Sequence, residues 1–277
     1  RILHGNQRFV SGVAWRQNEQ TYDGLRGEWR ALAGLNIDAS YVDGVNRVFG
    51  PDDGANPARL KGDHGFLRTD YELNDNHRLA GFGYIFDIDE QSDYKAEKTV
   101  NLSNETMGLE YKGQFGWLSA FLSYATQRDA GSSQLAYEAD YYNIEFGANF
   151  KPVTLTLGHE VLEGDNGGGF QPPEALLHGF QGWAEMFLST PRDGLEDTWG
   201  KVSGRVGPVT LLAKYHNFQA QDSSDDFGQE LDLMAKWQIN KQFSVMLKFA
   251  DFQADNEARY SDTRKAWMVM QLKLGTK

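Results

Sequence analysis

Basic side chains recur at alternate positions of short segments in which the other positions are largely apolar. Arg26 and Arg30 lie in "GLRGEWR" (24–30), Arg68 in "FLRTDYEL" (66–73), Lys112 in "MGLEYKG" (107–113) and Lys214 in "VTLLAKYH" (209–216). Lys236 and Lys248 repeat this in "LDLMAKWQ" (231–238) and "FSVMLKFA" (243–250), and Glu110, Glu230 and Asp232 fall on the same polar phase. Guanidinium and ammonium groups along a wet wall bind carboxylates without covalent chemistry, offsetting the water those anions lose. Acids and bases are comparably frequent on this phase, so a mixed wall is expected, with some pairs serving only to knit strands together.

Covalent and metal chemistry find less support. The chain has no cysteine, which excludes thiolate sites and a cysteine nucleophile. The six histidines, at 4, 64, 77, 159, 178 and 216, form no His-Glu-x-x-His array, and there is no Gly-x-Ser-x-Gly elbow. His159 and Glu160 are adjacent, so a strand would send them to opposite faces. "GPDDGAN" (50–56) and "DSSDDFG" (222–228) lack the ligand spacing of a calcium loop. "GDNGGG" (164–169) lacks the strand–helix setting of a phosphate loop. No catalytic residue, metal or cofactor is expected.

The elements that must carry these residues follow from the same alternation. In "FGQELDLMAKWQIN" (227–240), Leu231, Leu233, Ala235, Trp237 and Ile239 alternate with Glu230, Asp232, Lys236 and Gln238. A period of two is a strand with one apolar and one polar face. It recurs through the chain and predicts an all-β protein of about fourteen strands (range 12–18), one of them over residues 2–14. Very short connections, such as "LNDNH" (73–77), "KGQFG" (112–116) and "KPV" (151–153), alternate with long polar ones at 46–62, 89–103, 127–138, 164–194, 219–227 and 253–264. That layout suits a transmembrane antiparallel up-and-down β-barrel, short turns on one side and long acidic loops on the other. A soluble two-sheet sandwich explains each strand equally well but not the alternating connections. Nor does it explain aromatics near strand ends (Trp117, Tyr141, Tyr142, Trp237, Phe243, Trp267), which resemble interfacial girdles. The apolar phase would then face lipid. A single barrel domain spanning 1–277 is expected.

The net charge of −12 argues against nucleic acid as a partner. "RILHGNQRFV" has no basic-then-apolar leader, as expected of a mature exported chain.

"NQRFVSGVAWRQNEQTYDG" (6–24) and "LHGFQGWAEMFLSTPRDGLEDTW" (177–199) resemble segments of the alginate-export family of bacterial outer-membrane β-barrels, as do "YVDGVNRVFG" (41–50) and "FGQELDL" (227–233) more loosely. The resemblance implies a monomeric outer-membrane channel, embedded in the lipid bilayer, that passes an anionic polysaccharide or related solute. It adds Arg8 and Arg16, which lie in the first of these segments, to the expected lumen cations. Within 164–194, Leu176, Phe180, Trp183 and Phe187 recur at helical spacing before Pro191, which predicts a short amphipathic helix folded over or into the pore. Phe180, Trp183 and Phe187 would form the constriction. Two readings stay open: a porin-like channel for small hydrophilic, anionic or saccharide-type solutes, and a plugged barrel serving as a scaffold or binding surface.

Overall fold

The computed structural model describes residues 1–15, 18–49, 58–89, 102–131, 133 and 135–275. Eight strands come first: β1 (Thr21–Leu32), β2 (Leu35–Asn46), β3 (Arg59–Asn74), β4 (His77–Ile88), β5 (Asn104–Phe115), β6 (Leu118–Asp129), β7 (Glu138–Asn149) and β8 (Val153–Leu162). A small ribbon, β9 (Gly164–Asp165) and β10 (Gly168–Gly169), interrupts the series. Five more strands complete it: β11 (Leu195–Val206), β12 (Val209–Gln219), β13 (Asp226–Gln238), β14 (Phe243–Ala254) and β15 (Thr263–Leu272). All but the ribbon form one thirteen-stranded sheet in sequence order, with every pairing antiparallel. The all-β, up-and-down expectation therefore holds, with short turns at one end and long loops at the other. β1 and β15 are the two edges of this sheet and do not pair with each other.

The two faces sort as the alternation predicts. Leu25, Trp29, Leu109, Phe146, Leu157, Leu211, Leu247 and Met268 all point outward and are exposed. An apolar surface this continuous marks a membrane or partner contact. Near the short turns the outer face carries Trp29, Phe115, Trp117 and Phe150, and nearer the long loops Tyr41, Tyr124 and Tyr215. Two residues expected in that belt are elsewhere. Tyr141 is fully buried on the inner face, and Trp267 turns inward against His178 and Lys248. Among the described residues, no helix is long and apolar enough to cross a membrane.

Residues 2–14 are not the expected strand. Val10 makes a single isolated bridge to Glu174, and the segment runs through the interior instead. Ile2, His4, Arg8, Phe9 and Val10 are buried there against the inner face. Nor does 164–194 hold an amphipathic helix. Its only helical feature among the described residues is a 3-10 turn at Leu177–Gly179. Pro172 and Pro173 precede that turn, Gly182 has a φ of +78° just after it, and Glu185 has a φ of +58°. The Trp183 and Ala184 amides, which a helix would use internally, go to wall carboxylates instead. Both segments pack on an aromatic core of Phe9, Phe66, Phe82, Tyr84, Tyr141 and Phe170 on one side, and Phe187, Phe218, Phe227, Phe252 and Tyr260 on the other.

Candidate functional site

Side chains in register on neighbouring strands form horizontal rows along the inner wall. One row near the short turns reads Glu72, Arg78, Lys112, Phe121 and Glu145 across β3–β7. The row above it reads Asp70, Ala80, Glu110, Ser123, Asn143, Glu160 and Asp197. The lower row is largely solvent-facing, whereas much of the upper one is covered by the interior segments.

The N-terminal segment is seated on charged groups of the wall. His4 contacts Asp38 and Tyr84, each at 3.1 Å. Asp38 also accepts from Arg26 Nη2 at 2.5 Å. Arg8 is buried with Nε 2.8 Å from Glu160, its guanidinium lying over the rings of Tyr141 and Phe180. Burial of a charge is sustained only by such a partner.

The inserted loop is seated on the opposite wall. Trp183 N donates to Asp232 Oδ2 at 3.2 Å and Ala184 N to Glu230 Oε1 at 2.7 Å. Gln181 donates to Glu160. Lys248 points its ammonium at the ring of Trp183, 3.7 Å from the centroid, and at His178 Nε2, 2.6 Å away. Trp15 stacks on His178. The two interior segments join where Leu176 N donates to Gln7 O at 3.0 Å.

This interior leaves open space at both ends. Toward the long loops, a cavity of about 450 Å³ is lined by Trp15, Arg47, Phe49, Leu177, His178 and Arg192 among others. Toward the short turns lie two cavities of about 450 and 680 Å³, which share Arg78, Lys112, Phe121 and Glu145. Leu177 and His178 face the upper cavity, while Leu176, Gly179 and Phe180, with Gly5 and Asn6, face the lower one. The segment 176–180 is thus a septum between two vestibules.

The expected site residues divide accordingly. Arg26, Arg68, Glu110, Glu230 and Asp232 are on the inner face, but as structural partners: Arg68 binds Asp70 and, at 2.6 Å, Glu110. Arg30 is inward by register with Asn36 and exposed, and Lys236 is inward and half-buried. Lys214 lies 4.1 Å over the ring of Trp199. Lys112 faces the lower cavity and is exposed. Arg16 lies outside the described residues, as does the 50–56 loop. Phe180 is at the septum, whereas Trp183 caps Lys248 and Phe187 sits in the upper aromatic core. Asp225 is paired with Arg259, which also holds Asp193 at 2.6 Å. Arg78, Phe121 and Asn6 were not singled out from sequence. Phe121 breaks the polar phase of β6, the one local sign that an aromatic side chain faces the lumen there.

No family model matches the chain, and neither does any curated relative. Solved structures do. Acinetobacter baumannii OccAB2 superposes with a TM-score of 0.74 at 14% identity, over 98% of this chain and 72% of that one. Pseudomonas aeruginosa OccK10 (OpdN) gives 0.70 at 15% identity, over 100% and 79%. The fold is that of the Occ porin barrels. Pseudomonas aeruginosa OpdQ agrees, at 0.68 and 15% identity over 97% and 76%. The likeness is to outer-membrane porins rather than to the alginate-export family specifically. At this identity it is a likeness of fold.

Proposed function

We propose that this chain forms a porin-like channel of the bacterial outer membrane for small hydrophilic solutes of anionic or saccharide type. The observation that carries this reading is the pair of vestibules that meet at residues 176–180, inside a sheet whose outer face is apolar. In the lower vestibule Arg78 and Lys112 supply cations for a carboxylate. Phe121 and Phe180 supply ring faces for a sugar, and Asn6 and Glu145 supply hydrogen-bonding groups for hydroxyls. No step is chemical: selectivity comes from charge, ring stacking and the width at the septum. The protein acts without a cofactor and as a monomer within the bilayer.

The test is osmotic swelling of proteoliposomes in isosmotic sugar acid and in the corresponding neutral sugar. Uptake of the acid is expected to exceed that of the neutral sugar and to lose this advantage in Arg78→Gln/Lys112→Gln. Equal uptake of both by the unaltered protein would remove the anionic part of the reading.

One observation favours a plugged scaffold instead. The interior segments are tied to both walls, through Arg8–Glu160 and through Trp183 and Ala184 to Asp232 and Glu230. On that reading, removal of 168–190 opens a conductance that the intact chain lacks.

A further inference from the structure

Charge along this wall is sorted by height. In β11, Asp197 lies nearer the long loop on the inner phase, and Lys201 and Arg205 nearer the short turn. In β13, Asp226, Glu230 and Asp232 likewise precede Lys236 on the way down. β14 runs the other way and carries Lys248 on its inner phase, while Asp251 lies on the outer phase and pairs with Arg264. In β12, Lys214 stands at mid-height, in register with Lys201 on one side and Asp232 on the other. Among the described residues the connections continue the trend, with Lys151 and Lys241 in short turns and Asp193, Asp222, Asp225, Asp255 and Asp262 in long loops. Asp75 in a short turn, Arg47, Arg192 and Arg259 in long loops, and Arg264 and Lys265 at the long-loop end of β15 run against it. Arg259 is neutralised by Asp193 and Asp225. Across the lumen Glu72 and Glu145 share the lower row with Arg78 and Lys112, so that side is balanced rather than opposed.

We propose that the pathway is electrically bipolar, cation-attracting at the long-loop mouth and anion-attracting at the short-turn mouth, and therefore conducts unequally in its two directions. The inference rests on the channel reading above and deepens it by assigning a direction. Fixed charge of one sign in a confined mouth enriches the opposite mobile ion. With the long-loop side positive, cations from the acidic mouth and anions from the basic mouth are both driven toward the septum, and carriers accumulate there. Reversed polarity draws both away and depletes it. An anionic solute meets an attractive mouth from the short-turn side and a repulsive one from the long-loop side.

The absence of cysteine makes orientation measurable. Ser223→Cys, in an exposed long loop, provides a unique thiol for a membrane-impermeant maleimide added to one chamber of a planar bilayer. Current with the long-loop side positive is expected to exceed that at equal opposite voltage by about twofold or more in ~0.1 M potassium chloride. The ratio should fall toward unity in ~1 M salt, where screening shortens from about 10 to 3 Å. Lys201→Glu/Arg205→Glu/Lys236→Glu should abolish the asymmetry. The milder Lys151→Glu/Lys241→Glu, in exposed turns, should lower it in the same sense. Symmetric current in dilute salt, or a ratio indifferent to these reversals, overturns the inference and leaves the channel reading standing. No current at either polarity, in bilayers that the thiol label shows to hold the protein, overturns both.

Discussion

Arg8 is among the largest fully buried side chains of the protein, and Glu160 is its counter-charge. Taking away one member of such a pair strands the other in a dry setting, at a cost of about 3–5 kcal/mol. Arg8→Ala should therefore loosen the N-terminal segment by that order, read as faster amide exchange over residues 4–11. Glu160→Gln in the same chain should restore part of the protection. Glu174 makes a second test at this scale. Burial pushes its carboxyl up to about 8, partly offset by Tyr22 and Arg47, and His64 Nδ1 lies 3.6 Å from Oε1. The folded protein thus holds a proton that the unfolded chain gives up in the ordinary carboxylate range. Stability from this site is complete below that range and declines as pH rises toward 8. Glu174→Gln should flatten the fall in the thermal midpoint between about pH 5 and 8. An unchanged slope would place the effect elsewhere.

Among the elements, the inserted loop depends on a close approach that only glycine allows. A Cβ at Gly182 would collide with the Glu230 carboxylate, at a φ of +78° that side chains rarely adopt. Gly182→Ala should lift the loop off its seat, so that the Trp183 and Ala184 amides exchange with solvent while the wall strands stay protected. Retained protection would mean that the two wall carboxylates are not what holds the loop. The strands themselves were legible from sequence, because one apolar and one polar phase are written locally into every segment. Arg26, Arg68, Glu110, Glu230 and Asp232 all fall on that polar phase. The loop was misread because its apolar residues, at helical spacing, pack against three different neighbours: Phe180 at the septum, Trp183 on Lys248 and Phe187 on Phe218. The N-terminal segment was misread as a strand for a related reason. His4, Arg8 and Phe9 are buried by wall residues far away in sequence, and no local period encodes that.

For the molecule as a whole, apolar and polar surface are exchanged relative to a soluble sheet protein. Leu25, Trp29, Leu109, Phe146 and Leu157 face outward, while Arg68, Glu110, Glu160, Asp197 and Asp232 are buried inside beside the interior aromatic core. Among the described residues β1 and β15 are the edges of the sheet, and the chain spans 72% and 79% of the length of two barrels of similar fold. From sequence the lumen charges read as a mixture, since acids and bases are comparably frequent on the inward phase of the strands. Strand direction resolves the mixture into an acidic end and a basic end, and direction becomes visible only once the short and long connections are assigned to opposite sides. In the proposed channel the two vestibules communicate across the 176–180 septum. The most direct test of that communication is single-channel conductance of the refolded protein beside Leu176→Gly/Phe180→Gly, which thins that septum without touching the wall. Discrete, stable steps that grow in the variant are expected. Steps of equal size in both proteins, or an intact protein that inserts and stays silent, would contradict a solute path through this septum.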